Sequence, residues 1–345
     1  MSETLKGKMA GRLDSLRDGE AFRWLGGILA VYLITATILG MYWSIAPDRF
    51  DVSENAAALA AENQGSVVTG SVTTAAVMGV VDTLLDKSGG YLHNDRFPPG
   101  LWMDNMPSWE YGVLIQVRDI SRAMREVHSR SQSQSTEDQD LSMAEPLFNF
   151  KSDSWILPAS ESEYSDAREY TRKYFARLSD TRESNAQFYA RADNLRYWLS
   201  TVDMRLGSLS QRLSASVGQR RLNTDLAGDD SATQSTEAPS EMLVQTPWTE
   251  IDDVFYEARG TAWALIHFLK AAEVDFEDIL RKKNAQVSMQ QIIRELEATQ
   301  DMVWAPMILN GTGFGTLANH SLVMASYLSR ANAAIVDLRD LMSQG

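Results

Sequence analysis

Residues Trp24 to Ala46, WLGGILAVYLITATILGMYWSIA, run for 23 positions without one charged side chain. As a helix, such a stretch is long enough to cross the roughly 30 Å of a bilayer's hydrocarbon core. Trp24 stands at one end and Tyr42 with Trp43 at the other, where interfacial aromatics sit. Buried helices of soluble proteins rarely run so long without a polar break, so residues 24–46 are expected to be a transmembrane anchor. Lys6, Lys8, Arg12, Arg17 and Arg23 precede the stretch, and only Arg49 follows it closely. Acidic residues weigh little in the rule that basic flanks stay inside, so residues 1–23 are expected in the cytoplasm and 47–345 beyond the membrane. A cleaved signal peptide would have a shorter apolar core and end in small residues, which favours an uncleaved anchor. Gly26 with Ala30, and Ala36 with Gly40, have the small-xxx-small spacing that seats a partner helix.

A second uncharged stretch, Asn63 to Val81, is rich in Ser, Thr and Gly and far less apolar. It is expected to be a well-buried helix of a soluble body. If it spanned the membrane instead, the main domain would return to the cytoplasm and read as a helical regulator.

The chain has 345 residues, no cysteine and a formal net charge of −14. Disulfides, thiolate metal sites and cysteine nucleophiles are thereby excluded. The basic and acidic residues ahead of the anchor nearly cancel, so the negative charge falls on the main domain. That argues against nucleic acid or an anionic membrane surface as a broad electrostatic partner.

Two segments, 129–140 and 223–246, are dominated by Ser, Thr, Gln and Asp and are expected to be mobile loops within one periplasmic unit. The rest reads as helix. Asp104 and Asn105 precede Pro107 as a capped start for a helix running to about His128. From Tyr164 to Leu213, apolar residues recur in steps of three and four, the seam of a coiled coil or long bundle helix. Ser160 and Glu163 have capping-box spacing at its start. Unbroken from 162 to 216, it would reach roughly 80 Å, with a break expected, if anywhere, at SDTRESN. Thr249 and Asp252 suggest another cap, and a last stripe runs from Leu317 to Leu341. Sustained two-residue alternation is lacking, so any sheet is small. The fold class is all-α: a single transmembrane helix followed by an elongated bundle with long, coiled-coil-like helices.

Chemistry-bearing residues are present but scattered. None of His93, His128, His267 and His320 forms a helical zinc pair, and no metal or cofactor is expected. His320 reads as a hydrogen-bonded core residue, and His93, beside Asn94, Asp95 and Arg96, is the best-placed histidine. Gly311 to Gly315, GTGFG, lacks the flanking features of a phosphate loop and reads as an interhelical turn. The dense stretch NDRFPPGLWMDNMPSWEYG, Asn94 to Gly112, sets Asp95, Asp104, Glu110 and the nearby Asp119 among Trp102, Trp109 and Tyr111. Paired carboxylates beside sugar-stacking rings are what glycan cleavage needs, with Asp104 and Glu110 as candidate catalysts. Glu161-Ser162 resembles the Glu-Ser dipeptide of lytic transglycosylases but lacks the residues that follow it there. The alternative is structural: the carboxylates cap amides and pair with Arg96 or Arg118 while the rings fill the core edge.

The runs Gly89 to Asp119, Phe148 to Ala167 and Asn310 to Arg339 resemble an uncharacterised bacterial membrane-protein family, domain of unknown function 2333. The resemblance spans nearly the whole chain and implies one membrane-anchored unit, with no activity, ligand or catalytic residue to carry over. The combined expectation is a single-pass bacterial inner-membrane protein that is not an enzyme, a scaffold or adaptor of the envelope. A protein partner or second copy would dock on Arg96, Trp102, Asp104, Trp109, Glu110 and Tyr111. The alternative is a periplasmic protein that binds or cleaves peptidoglycan through the same loop.

Overall fold

A computed structural model describes residues 19–132, 134–182, 185–222, 241–305 and 307–344. Eleven α-helices and one two-stranded hairpin account for the regular structure among them. The first helix, α1 (Gly19–Trp43), contains the apolar span Phe22–Trp43, and most of its side chains are exposed. It is the one described helix long and apolar enough to cross a membrane.

Helix α2 (Val52–Glu62) starts where the Asp51 carboxylate accepts the amides of Ser53 and Glu54 at 2.8 and 2.9 Å. Helix α3 (Ser71–Asp86) takes up most of the second uncharged stretch, and it lies inside the body: Val72, Ala75, Ala76, Val77, Met78, Val80 and Val81 are all buried. Its small residues suit close burial among other helices. The cytoplasmic-regulator topology that a second span would have required therefore loses its basis. Gly70 starts the helix at φ +92°, and a Cβ there would lie 2.2 Å from the Phe188 ring, so both backbone and space demand glycine. The orphan amides are satisfied from a distance, since the buried Asp275 carboxylate accepts Gly70 N–H and Thr73 N–H at 2.7 Å each.

At the centre, α4 (Asn105–Ala123) packs against α8 (Ile251–Asp275). Two glycines make the approach possible. A Cβ on Gly112 would lie 2.1 Å from the Glu257 carbonyl oxygen, and one on Gly260 2.0 Å from that of Trp109. Backbone thus meets backbone where side chains would hold the helices apart. The Trp109 and Trp263 rings, 5.2 Å apart, fill the space beside this contact. Helix α4 continues through a π-helical turn, Met124–His128, and so ends where the sequence predicted.

Around this pair stand α5 (Gln139–Phe148), α6 (Ser160–Ser179), α7 (Ala192–Ser214), the short α9 (Glu277–Lys282), α10 (Gln286–Ala298) and α11 (His320–Ser343). The three-four seam is two helices, broken at the predicted SDTRESN. Its halves serve different neighbours: α6 packs on α5 and α3, and α7 packs on α11. Tyr164, Tyr174, Leu195, Leu199, Val202 and Leu206 are buried within the chain, so this face is occupied without a coiled-coil partner.

Three local expectations give way to other contacts. The capping box at Ser160 does not form: its hydroxyl donates to Lys151 O at 2.7 Å, and α6 starts without a side-chain cap. Neither Thr249 nor Asp252 caps α8, which follows a 3₁₀ turn at Trp248–Glu250. The last helix begins at His320 rather than at Leu317, because Asn319 caps it by accepting Leu322 N–H at 2.8 Å.

Of the polar segments, Gln139 and Asp140 belong to α5, whose first amides bond to Asp138. Residues 241–244 form β2 (Glu241–Val244), antiparallel to β1 (Gln219–Leu222). Ser133 and residues 223–240 lie outside the described residues.

Candidate functional site

The stretch 94–112 divides at Met103 into an outward and an inward half. The inward half begins α4, with Asp104 as N-cap accepting Asn105 N–H at 2.8 Å. Trp109 and Glu110 are both fully buried. The Glu110 carboxylate forms an ion pair with the buried Lys87 ammonium. It also accepts Leu92 N–H at 2.9 Å and His93 N–H at 2.7 Å. Lys87 also donates to Gly90 O, so one buried pair holds the turn 87–93 from both sides. Burial pushes the Glu110 carboxyl up to about 7, against the opposing pull of Lys87 and the two amides. A carboxyl titrating near neutrality suits a general acid, but this one reaches neither solvent nor a surface cleft.

Two further sequence candidates sit beside it. His93 stacks on Tyr111 with centroids 5.8 Å apart, and its Nδ1 lies 3.1 Å from Pro107 O. Burial lowers its pKa, which suits a neutral ring donating from Nδ1. Tyr111 is half-buried and lines a polar cleft with Asp119, Arg205, Arg212 and Glu257. There Arg205 pairs with Asp119 at 2.8 Å and Arg212 with Glu257 at 2.7 Å.

The outward half, 94–102, is bound to a second loop, 149–159, more than fifty residues away. Asn94 is buried and donates to Ser154 O at 2.7 Å and Glu161 Oε2 at 2.6 Å. Arg96 donates to Asp153 O at 3.1 Å, Tyr91 to Ser152 O at 3.0 Å, and Phe97 meets Trp155 edge-on at 5.8 Å. From behind, Arg118 donates to the carbonyls of Phe148 and Phe150 at 2.8 and 2.7 Å. Arg118 thus holds backbone carbonyls at the end of α5 and the start of the loop, rather than one of the carboxylates of 95–119. Nothing in the spacing of either loop announced this partnership, although Asn94 and Arg96 supply donors and the second loop supplies free carbonyls.

What this pair of loops presents outward is apolar. Phe97, Leu101, Trp102, Trp155, Ile156 and Leu157 are exposed, Trp102 by 54 % and Leu157 by 90 %. Arg96 and Asp104 lie at the surface beside them. Of the six docking candidates, Arg96, Trp102 and Asp104 are at this surface, Tyr111 opens on a different cleft, and Trp109 and Glu110 are sealed inside. Asp104 and Glu110 thus have different surroundings, one exposed at a helix start and the other buried in an ion pair.

The same loops, with the turn that precedes them, touch α1. A Cβ on Gly40 would lie 3.5 Å from that of Pro99, and one on Gly89 2.7 Å from the Trp43 ring. Ala36, one helical turn from Gly40 on the same face, is buried while most of the span is exposed. Gly40 therefore meets the chain's own loop, whereas among the described residues no atom lies within 4 Å of a Cβ placed on Gly26. Just after α1, Phe50 N–H donates to His267 Nε2 at 3.2 Å, and Arg49 pairs with Glu297 at 3.0 Å. His267 in turn sets its Nδ1 2.8 Å from Trp263 O, beneath the α4–α8 crossing.

The three sequence runs that carry the family resemblance thus include both loops and the helices that hold them. A family described as an uncharacterized protein conserved in bacteria matches residues 17–345. The chain belongs to that family, domain of unknown function 2333. No curated protein and no solved structure matches the chain. Family membership brings no ligand, and the described residues hold no cluster of three or more potential metal-ligating His, Asp or Glu side chains.

Proposed function

We propose that this protein is a single-pass inner-membrane scaffold or adaptor of the bacterial envelope, with a cytoplasmic N-terminus and a periplasmic helical body. The observation that carries the reading is the attachment of anchor to body. Trp43 over Gly89, Gly40 against Pro99, Phe50 on His267 and Arg49 on Glu297 fasten the helix at its end and along the segment after it. A body held in fixed orientation at the membrane loses less freedom on binding than one on a flexible tether. Arg96 and Asp104, exposed at the polar rim of the 94–102 and 149–159 loops, are its docking residues. Crosslinking in intact cells followed by identification of neighbours tests the role. A reproducible protein neighbour or second copy is expected, and a strictly monomeric protein without neighbours would overturn it. A reporter fused at the C-terminus is expected to be active only outside the cytoplasm.

A glycan-binding reading keeps one favourable feature, the exposed Trp102, which is available to stack on a sugar ring. Glu110 does not support cleavage, since its carboxylate is enclosed. Sedimentation of the full chain with peptidoglycan, lost in Trp102→Ala, is the result that would revive this alternative.

A further inference from the structure

The apolar surface of the 94–102 and 149–159 loops lies against the anchor, and its composition suits one kind of neighbour. Pro99 meets the anchor at Gly40, three residues inside the end of the apolar span Phe22–Trp43. At 1.5 Å per residue, that is about 4.5 Å inside the level of Trp43. Leu101 N–H bonds to Phe97 O at 3.0 Å and Trp102 N–H to Pro99 O at 2.9 Å, so Phe97 to Trp102 form a compact turn around the residue that meets Gly40. Phe97 in turn contacts Trp155, which brings Ile156 and Leu157 to the same neighbourhood. Leu157 is a non-glycine residue at φ +57°, an unfavoured conformation for a branched side chain, and it is 90 % exposed.

In water, six large apolar side chains gathered on two loops are an unfavourable surface. At the edge of a bilayer they are the usual furniture: tryptophans sit at headgroup level, and apolar residues enter roughly 5–10 Å of the acyl boundary. The charged residues at the rim, Arg96 and Lys151 against Asp95, Asp104 and Asp153, give no excess of cations. Attraction to anionic lipid is therefore not the driving term.

Resting on the single-pass reading, we propose that Phe97, Leu101, Trp102, Trp155, Ile156 and Leu157 form a second membrane contact. These side chains insert into the interfacial layer of the leaflet from which the body emerges. The anchor and the two loops then meet the bilayer together, which fixes the tilt of the helical body and leaves the polar rim and the other faces for protein partners.

The absence of native cysteine makes the test direct. Single nitroxide labels are placed on full-length protein at Leu101→Cys, Leu157→Cys, Ile34→Cys in the anchor and Val287→Cys, exposed on α10. The protein is reconstituted in phosphatidylethanolamine–phosphatidylglycerol bilayers. Labels at 101 and 157 are expected to show several-fold lower accessibility to a water-soluble nickel chelate than the label at 287. Their accessibility to oxygen should be raised toward that of the label at 34. High salt is expected to leave this pattern unchanged. If 101 and 157 match 287 while 34 is lipid-embedded, the second contact is wrong and the anchor stands. If 34 itself is water-accessible, the single-pass reading falls and this inference with it. Labels at 101 and 157 shielded from both reagents would mean that protein covers the face, which overturns the lipid contact.

Discussion

The two halves of the stretch 94–112 carry similar residues and have opposite surroundings. In the inner half, Trp109 is packed beside Trp263, and Glu110 is saturated by Lys87 and two amides. In the outer half, Trp102 and Phe97 face away from the body, on a turn held by Asn94 and Arg96. Aromatic and acidic residues are common to binding sites and to well-made cores. The burial of the rings and carboxylates tells the two apart here.

If the inner half is structural, the largest losses of stability should come from it. Glu110→Ala would leave the Lys87 ammonium buried without its carboxylate, and about 3–5 kcal/mol should be lost in denaturant unfolding. Glu110→Leu with Lys87→Met should recover much of that, because the charge and its partner leave together. Gly260→Ala is the next test: a methyl group 2.0 Å from the Trp109 carbonyl forces α4 and α8 apart, at about 2–3 kcal/mol. Asp275→Asn weakens the remote cap of α3 and should cost about 1–2 kcal/mol by the same measurement.

The pH response sharpens the same distinction. Burial holds His128 and His267 down to about 4, whereas an unfolded histidine titrates near 6.5. Between those values the unfolded chain binds more protons, so stability falls as pH drops from about 6.5 to about 4. Glu110 acts in the opposite sense. Its contribution is present below 4.5 and is lost as pH rises through about 7, because its folded pKa is the higher one. Thermal melts from pH 4 to 8 should therefore show a net acid destabilisation that His128→Gln and His267→Gln make shallower. The smallest effect belongs to the outer half. Trp102→Ser or Leu157→Ser should change unfolding free energy by no more than about 0.5 kcal/mol in detergent. A large loss there would place those side chains in the core and end the comparison.

Local pattern carried the long apolar helix near the N-terminus, the helix beginning near Asp104 and the interruption at SDTRESN; of the uncharged stretch 63–81 only 71–81 is a buried helix, and 63–69 are largely exposed. Each depends on neighbours a few residues apart in sequence. The 164–213 seam read equally as a coiled coil or as a bundle helix, because periodicity fixes which face is buried and says nothing about what buries it. Ser160 had the spacing of a cap but was taken by the Lys151 carbonyl, and Asp275 caps a helix some two hundred residues away. The partnership of loops 94–102 and 149–159 escaped for the same reason: Asn94 and Arg96 reach backbone carbonyls, which every residue has. Trp102 and Trp109 could not be ranked by type, since tryptophan serves both surfaces and cores.

The central claim is that the anchor and the helical body are one rigid piece, which both the scaffold reading and the second lipid contact require. Spin labels at Met41→Cys, on the exposed side of the anchor's end, and Met204→Cys, exposed on α7, measure it in reconstituted bilayers. A single narrow distance distribution between them is the predicted result. A broad distribution, with the anchor sampling many angles to a folded body, would contradict it.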